Sequence, residues 1–73
     1  MKKLIIFGGG GYCASVLIPQ ILDDYKVTVF DAFWYGTKHL PDHKNLNLIK
    51  GDVRDLNLVK QSLVDQDFVL HLS

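Results

Sequence analysis

Apolar and polar positions along the chain fall into two alternating kinds of pattern. Lys3 to Phe7 is a short run, Leu4-Ile5-Ile6-Phe7 behind a lysine, stopped by Gly8-Gly9-Gly10-Gly11. Continuous apolar runs of this length belong to strands covered on both faces, as in parallel sheets. From Tyr12 the spacing turns helical, with Val16, Leu17, Ile21 and Leu22 gathered on one broad face and Asp23-Asp24 ending the segment. Pro19 falls inside this helix, removes one backbone hydrogen bond and predicts a kink. Lys26 to Asp31 is β-branched and reads as a second strand, and residues 32 to 45 form a polar and aromatic connection with Gly36, Pro41 and room for one helical turn. Leu46 to Lys50 reads as a third strand, ended by Gly51. Asp55 is placed to cap a short helix in which Leu56, Val59 and Leu63 share a face, and Asp67 to Leu72 reads as a fourth strand.

The order strand–helix–strand–strand–helix–strand predicts an α/β fold with a parallel sheet, because each crossover is long enough to return the chain to the same edge. The spatial order expected is 3-2-1-4, the N-terminal half of a doubly wound Rossmann sheet. In a complete fold of that kind the fourth strand is internal. At 73 residues the chain has room for one domain at most, and a domain of this size buries only about 60% of its unfolded surface. The expectation is therefore a single partial domain over residues 1–73, marginal alone and with an apolar fourth-strand edge open to pairing. A free-standing small binding protein is the less favoured expectation.

Charge and cysteine content narrow the classes. Eight basic and eight acidic side chains cancel, which argues against a nucleic-acid binder that works by displacing counterions. One cysteine forms no internal disulfide, which fits a reducing compartment. Behind Met1-Lys2-Lys3 the apolar run is too short for a signal core or a membrane span, so the cytoplasm is the expected location.

The candidate chemistry begins at the glycines. Gly8-x-x-Gly11-x-x-Ala14 leaves a strand and enters a helix with the spacing of a dinucleotide-binding turn. Such a turn needs glycine dihedrals, and a missing Cβ lets the backbone touch a diphosphate. A small residue one turn later lets the helix pack close to the sheet, and the helix start holds the anion with free N–H groups and its dipole. A flexible glycine loop is the bland alternative; the strand–turn–helix setting favours the functional one. Asp31 ends the second strand, 20 positions after Gly11, where a carboxylate accepts hydrogen bonds from an adenosine ribose. A 2′-phosphate ~4 Å from that carboxylate would cost up to roughly 4 kcal/mol at an effective dielectric of ~20. No Lys or Arg follows until Lys38, so NAD is expected over NADP. Gly51-Asp52-Val53-Arg54-Asp55 follows the third strand; Asp52 is placed either to accept from an adenine amino group, with Val53 beside the ring, or to share helix capping with Asp55.

Other residues carry weaker signals. Cys13 near a helix start is a thiol with a lowered pKa or, more simply, a small apolar filler. His39, Asp42 and His43 lack an evident further ligand, and no metal site is expected. His71 in an apolar strand reads as a packed, hydrogen-bonded histidine in preference to a ligand. Phe33-Trp34-Tyr35 reads as a partner surface or, in preference, in a longer relative, as a cover for the adenosine side or packing against the rest of the fold.

Taken together, Phe7-Gly8-Gly9-Gly10-Gly11-Tyr12-Cys13-Ala14, Val29-Phe30-Asp31 with Tyr35-Gly36, Gly51-Asp52-Val53-Arg54-Asp55 and Asp67-Phe68-Val69-Leu70-His71-Leu72-Ser73 resemble, in order, the landmarks of a known family. It is the extended short-chain dehydrogenase/reductase family, in its NAD-dependent epimerase/dehydratase group acting on nucleotide sugars. The resemblance covers essentially the whole chain. Phe7 stands where the family has threonine, and Ala14 where it has glycine. By this resemblance Gly8, Gly10 and Gly11 form the diphosphate turn, and Tyr12 and Cys13 offer backbone N–H groups to the pyrophosphate. Asp31 binds the adenosine ribose with Ala32 and Phe33 beside it, Asp52 and Val53 meet adenine, and Leu72 and Ser73 begin the lining of the cofactor's inner half. The family's catalytic Tyr-x-x-x-Lys does not occur: the fourth residues after Tyr12, Tyr25 and Tyr35 are Val16, Val29 and His39. The implied function is the NAD-binding portion of a nucleotide-sugar epimerase or dehydratase, with catalytic residues elsewhere in a parent that is a possible homodimer; a non-catalytic dinucleotide-sensing module is the alternative.

Overall fold

The computed structural model of the chain describes residues 1–8, 12–33, 36 and 40–72, the side chains of residues 12 and 13 aside. Its elements are β1 (Lys2–Phe7), α1 (Tyr12–Ile21), β2 (Tyr25–Asp31), β3 (Leu46–Lys50), α2 (Leu56–Leu63) and β4 (Phe68–His71). The four strands form one parallel sheet in the order β3-β2-β1-β4, parallel as the crossover lengths imply and in the order expected of half a doubly wound sheet. Lys2 stands opposite Tyr25, Phe7 opposite both Phe30 and His71, and Asp31 opposite Lys50. This register brings all four strand ends to one edge.

Side chains alternate across the pleat. One face presents Ile6, Val27 and Val29, fully or almost fully buried under Ala14, Ile18 and Leu22 of α1 and its end. The other face presents Ile5, Phe7 and Phe30, covered by Leu58 and Val59 of α2. The helices thus sit on opposite faces, and β1 and β2 are sandwiched between them.

The face that α1 buries overlaps the expected one at Leu22, which is buried, and at the half-buried Leu17 and Ile21. Val16 is exposed, whereas Ala14, Ile18 and Leu22 at i, i+4 and i+8 make the contact. Ala14 is buried against the sheet, where a larger side chain would push the helix outward. The α-helix runs on through Pro19, which is exposed and two residues from its end. The connection then folds back: Asn45 donates through Nδ2 to the Leu22 carbonyl at 2.7 Å and accepts through its own carbonyl from Val27 N–H at 2.8 Å. In the connection of residues 32 to 45, Gly36 N–H donates to the Phe33 carbonyl at 3.0 Å, and the room for a helical turn expected there falls largely on residues 34, 35 and 37–39, outside the described ones.

In α2, Asp55 caps the first turn as expected, its carboxylate accepting from Leu58 N–H at 3.2 Å. The buried side is again shifted. Leu56 and Leu63 are exposed, while Leu58, Val59 and Ser62 face inward. Ser62 tolerates burial because its hydroxyl donates to the Leu58 carbonyl at 2.7 Å.

β4 is joined to β1 by a reciprocal pair at its entry. Lys3 N–H donates to Asp67 Oδ2 at 2.8 Å, and Asp67 N–H donates to the Lys3 carbonyl at 2.8 Å. Beyond the strand, Leu72 N–H donates to the Phe7 carbonyl at 2.8 Å. Phe68 and Val69 are half exposed. His71 is exposed too, stacked on Phe7 with ring centroids 6.5 Å apart, so it is less packed than its apolar strand suggests.

Candidate functional site at the C-terminal strand edge

In an open parallel sheet, ligands bind beyond the C-terminal strand ends, at the point where strand order reverses. Here that point lies beside β1, the first strand, which has β2 on one side and β4 on the other. Gly8 follows β1 with φ of 91°, a conformation that costs a side-chain-bearing residue of order 1–3 kcal/mol. Its N–H donates to the Phe30 carbonyl at 2.9 Å, so the turn springs directly from the β1–β2 ladder. α1 starts at Tyr12, and the N–H groups of its first turn have no partner inside the helix. Gly10 and Gly11 lie outside the described residues, as do Trp34, Tyr35, His39 and Ser73.

Asp31 closes β2 one ladder step beyond Phe30. One oxygen of its carboxylate accepts from Ala32 N–H at 2.8 Å, and its carbonyl accepts from Gly51 N–H at 3.0 Å. The carboxylate is therefore oriented by the backbone that follows it, and it is half-buried at the edge. No cation pairs with it among the described residues.

Gly51 allows β3 to end against β2 and α2. A Cβ there would lie 2.6 Å from Leu58 Cδ2 and 2.8 Å from Phe30 Cζ. The chain then turns over Asp52, whose carbonyl accepts from Asp55 N–H at 2.9 Å. The Asp52 carboxylate does not cap α2; Asp55 alone does that. Asp52 instead takes Arg54 Nη2 at 2.7 Å, Arg54 Nε at 3.1 and 3.2 Å, and Arg54 N–H at 2.9 Å. Those bonds from the Arg54 side chain and backbone, with the attraction of the guanidinium, hold the Asp52 carboxyl at about 2 against an ordinary 3.8.

These residues meet. Gly8, Phe30, Asp31, Ala32, Gly51, Asp52, Val53 and Arg54 line one cleft of about 280 Å³. A second, more open hollow of about 570 Å³ adjoins it, lined by Ala32, Phe33, Lys50, Gly51 and Asp52. Leu72 stands at the same edge, bonded to Phe7. Gly51 and Arg54 were not expected there as functional positions, nor was Phe30 as the cleft's buried floor. Phe33 departs from the reading as a partner surface: it is 9% exposed, packed with Ile6, Ala14 and Ile18, at φ of 53°.

A different cleft, of about 330 Å³, lies at the opposite strand edge among Lys3, Lys26, Lys44 and Gln66. It has neither a glycine turn nor a helix start, and the ligand edge of such sheets is the other one. His43 accepts from Asn45 N–H through Nδ1 at 3.0 Å, and its Nε2 lies 3.9 Å from Asp23. No cluster of three metal-ligating side chains occurs among the described residues. No helix there is long and apolar enough to cross a membrane.

No family model matches the chain. Among known proteins, UDP-glucuronic acid decarboxylase 1 of Danio rerio is 34% identical over 77 residues, covering 99% of this chain and 17% of that protein. The Rossmann-fold NAD(P)-binding family protein of Shigella flexneri superposes with a TM-score of 0.88 at 33% identity, over all of this chain and 38% of its own. The Bordetella bronchiseptica enzyme WbmH, solved in complex with NAD+, gives 0.86 at 36% identity over 100% and 26% of the two chains. UDP-N-acetylglucosamine 4-epimerase of Methanobrevibacter ruminantium, in complex with UDP-N-acetylmuramic acid, gives 0.85 at 36% identity over 99% and 24%. The chain spans between 17% and 25% of the length of the curated relatives it matches.

Proposed function

These residues correspond to the N-terminal portion of the extended short-chain dehydrogenase/reductase family, epimerase/dehydratase group, and from that premise we propose that they form the NAD-binding part of an enzyme acting on nucleotide sugars. The observation that carries this reading is the convergence of Gly8, Asp31 and Asp52 on one cleft at the edge where strand order reverses. The residues present suit the cofactor. Gly8 supplies a turn no other residue adopts cheaply, and the start of α1 supplies backbone N–H groups that the helix itself does not use, suited to a pyrophosphate. Asp31 supplies a backbone-oriented acceptor for ribose hydroxyls.

NAD, when bound, supplies a reversible hydride acceptor. The chain's own residues bind and orient. Gly8, Gly10 and Gly11, with the N–H groups of Tyr12 and Cys13, cradle the diphosphate. Asp31 takes the adenosine ribose, flanked by Ala32 and by Phe33 beneath. Asp52 and Val53 border the base, and Leu72 and Ser73 begin the lining of the cofactor's inner half. No catalytic group is assigned here. The unit is one partial dinucleotide-binding domain over residues 1–73, in a cytoplasmic protein whose substrate is a nucleotide sugar.

Titration calorimetry of the complete polypeptide that carries these residues tests the reading. NAD is expected to bind, and more tightly than NADP. Absence of dinucleotide binding, or equal affinity for both, overturns it.

A further inference from the structure

Arg54 bears the one positive charge among the described residues that line the 280 Å³ cleft with Asp31 and Ala32. Among the described residues, Lys50 is the only other lysine or arginine at this edge, lining the neighbouring hollow with Phe33. Arg54 is not free to act on the cleft. Its Nε and Nη2 grip both carboxylate oxygens of Asp52, and its own N–H closes the same turn. This is the side-on, two-point mode in which arginine also recognises phosphate, so a carboxylate and a phosphate compete for the same donors.

We propose that Asp52 determines cofactor specificity through Arg54: by holding the guanidinium, it withholds from the cleft the cation that a 2′-phosphate on the adenosine ribose would need. The inference rests on the dinucleotide reading above and adds a second device to the repulsion expected from Asp31. The two act differently. Asp31 opposes the extra phosphate directly, whereas Asp52 removes its potential partner. Because Asp52 and Arg54 are both exposed, the pair is held by geometry and not by a dry surrounding. A change of one formal charge is therefore enough to release Arg54. The asparagine variant keeps an oxygen for Arg54 N–H, so the turn has no reason to unfold.

The test is calorimetric titration of the complete polypeptide with NAD and with NADP. Asp52→Asn is expected to raise the NADP-to-NAD affinity ratio by about two- to fivefold, the most that an exposed ion pair can withhold. Asp52→Asn combined with Arg54→Ala is expected to return the ratio close to its unmutated value. Asp52→Ser, which also keeps an acceptor for the turn, is read in parallel and should follow Asp52→Asn. An unchanged ratio in both single variants overturns the proposal. So does a raised ratio that survives loss of Arg54, since the carboxylate charge alone would then be responsible. If the unmutated protein binds neither dinucleotide, the underlying function fails; if it binds NAD and only the variants misbehave, the function stands and this device does not.

Discussion

Phe30 occupies the space that a side chain on Gly51 would need, its Cζ lying 2.8 Å from the position of a Cβ there. Phe30 is fully buried, its ring 5.2 Å from that of Phe7, so it has nowhere to retreat. Leu58 closes the other side at 2.6 Å. One missing methyl thus lets β3 end, α2 begin and the cleft floor form at the same point.

Gly51→Ala is accordingly expected to destabilise the fold by about 1–3 kcal/mol, the usual cost of overpacking. Urea denaturation of the complete polypeptide measures it as a lowered midpoint with an unchanged slope. An unmoved midpoint would show that Phe30 and Leu58 repack freely.

Ile18→Ala and Val16→Ala separate the two possible faces of α1. Ile18 is fully buried against Ile6, Val27 and Val29, and its truncation should cost about 2–5 kcal/mol. Val16 is exposed, and its truncation should change stability by less than about 0.5 kcal/mol. Comparable losses at both positions in thermal melts would contradict the observed helix phase.

These two residues also show where sequence pattern ends. The strands follow from apolar runs and their parallel pairing from crossover lengths, and the order 3-2-1-4 is the one expected of half a doubly wound sheet. The phase of α1 does not follow, because Tyr12–Ile21 is apolar almost all round and its periodicity names no single face. In α2 the apolar residues suggest Leu56, Val59 and Leu63. Contact of Leu58 with the Gly51 turn rotates the helix instead, and the Ser62 hydroxyl finds a carbonyl that makes its burial tolerable. At the edge, Asp31 and Asp52 are legible from their places after strands. The Arg54 clasp is not, because an i, i+2 pair depends on the local turn and on no repeating spacing. Phe33 misleads for a related reason: beside Trp34 and Tyr35 it reads as surface, yet a left-handed backbone turns it into the core.

The Asp52 carboxyl provides a pH-dependent readout. Its native pKa, about 2, lies below the ordinary 3.8. A depressed carboxyl contributes to stability above its unfolded value, and that contribution is lost as pH falls through the native one. It is therefore complete above about pH 4 and disappears toward pH 2. A carbon-detected NMR titration should place the Asp52 midpoint near 2 at low ionic strength. Arg54→Ala should move it up toward 3.8, leaving only the backbone N–H of residue 54 to favour the charged form. An unmutated midpoint already in the ordinary range contradicts the clasp.

At Asp31, charge and hydrogen bonding can be told apart. Asp31→Asn keeps an oxygen for Ala32 N–H and for a ribose hydroxyl while removing the charge. It should preserve most NAD affinity and narrow the preference over NADP by about tenfold or more, as expected for one unit charge near a phosphate. Asp31→Ala, which removes the acceptor as well, should narrow the preference and also weaken NAD. Identical behaviour of the two variants in calorimetry would mean that the acceptor plays no part beyond the charge.

The reciprocal bonds between Lys3 and Asp67 join positions 64 residues apart. During synthesis at about 5–20 residues per second, the first of these positions is made roughly 3–13 s before the second. β2 emerges early and covers one side of β1; the side destined for β4 waits. Through that interval Ile5 and Ile6 belong to a strand with an open edge, the feature by which nascent chains find wrong partners. The central position of β1 thus has a cost in time: of the two strands paired on both sides in the described sheet, β1 is the one whose second partner is made last.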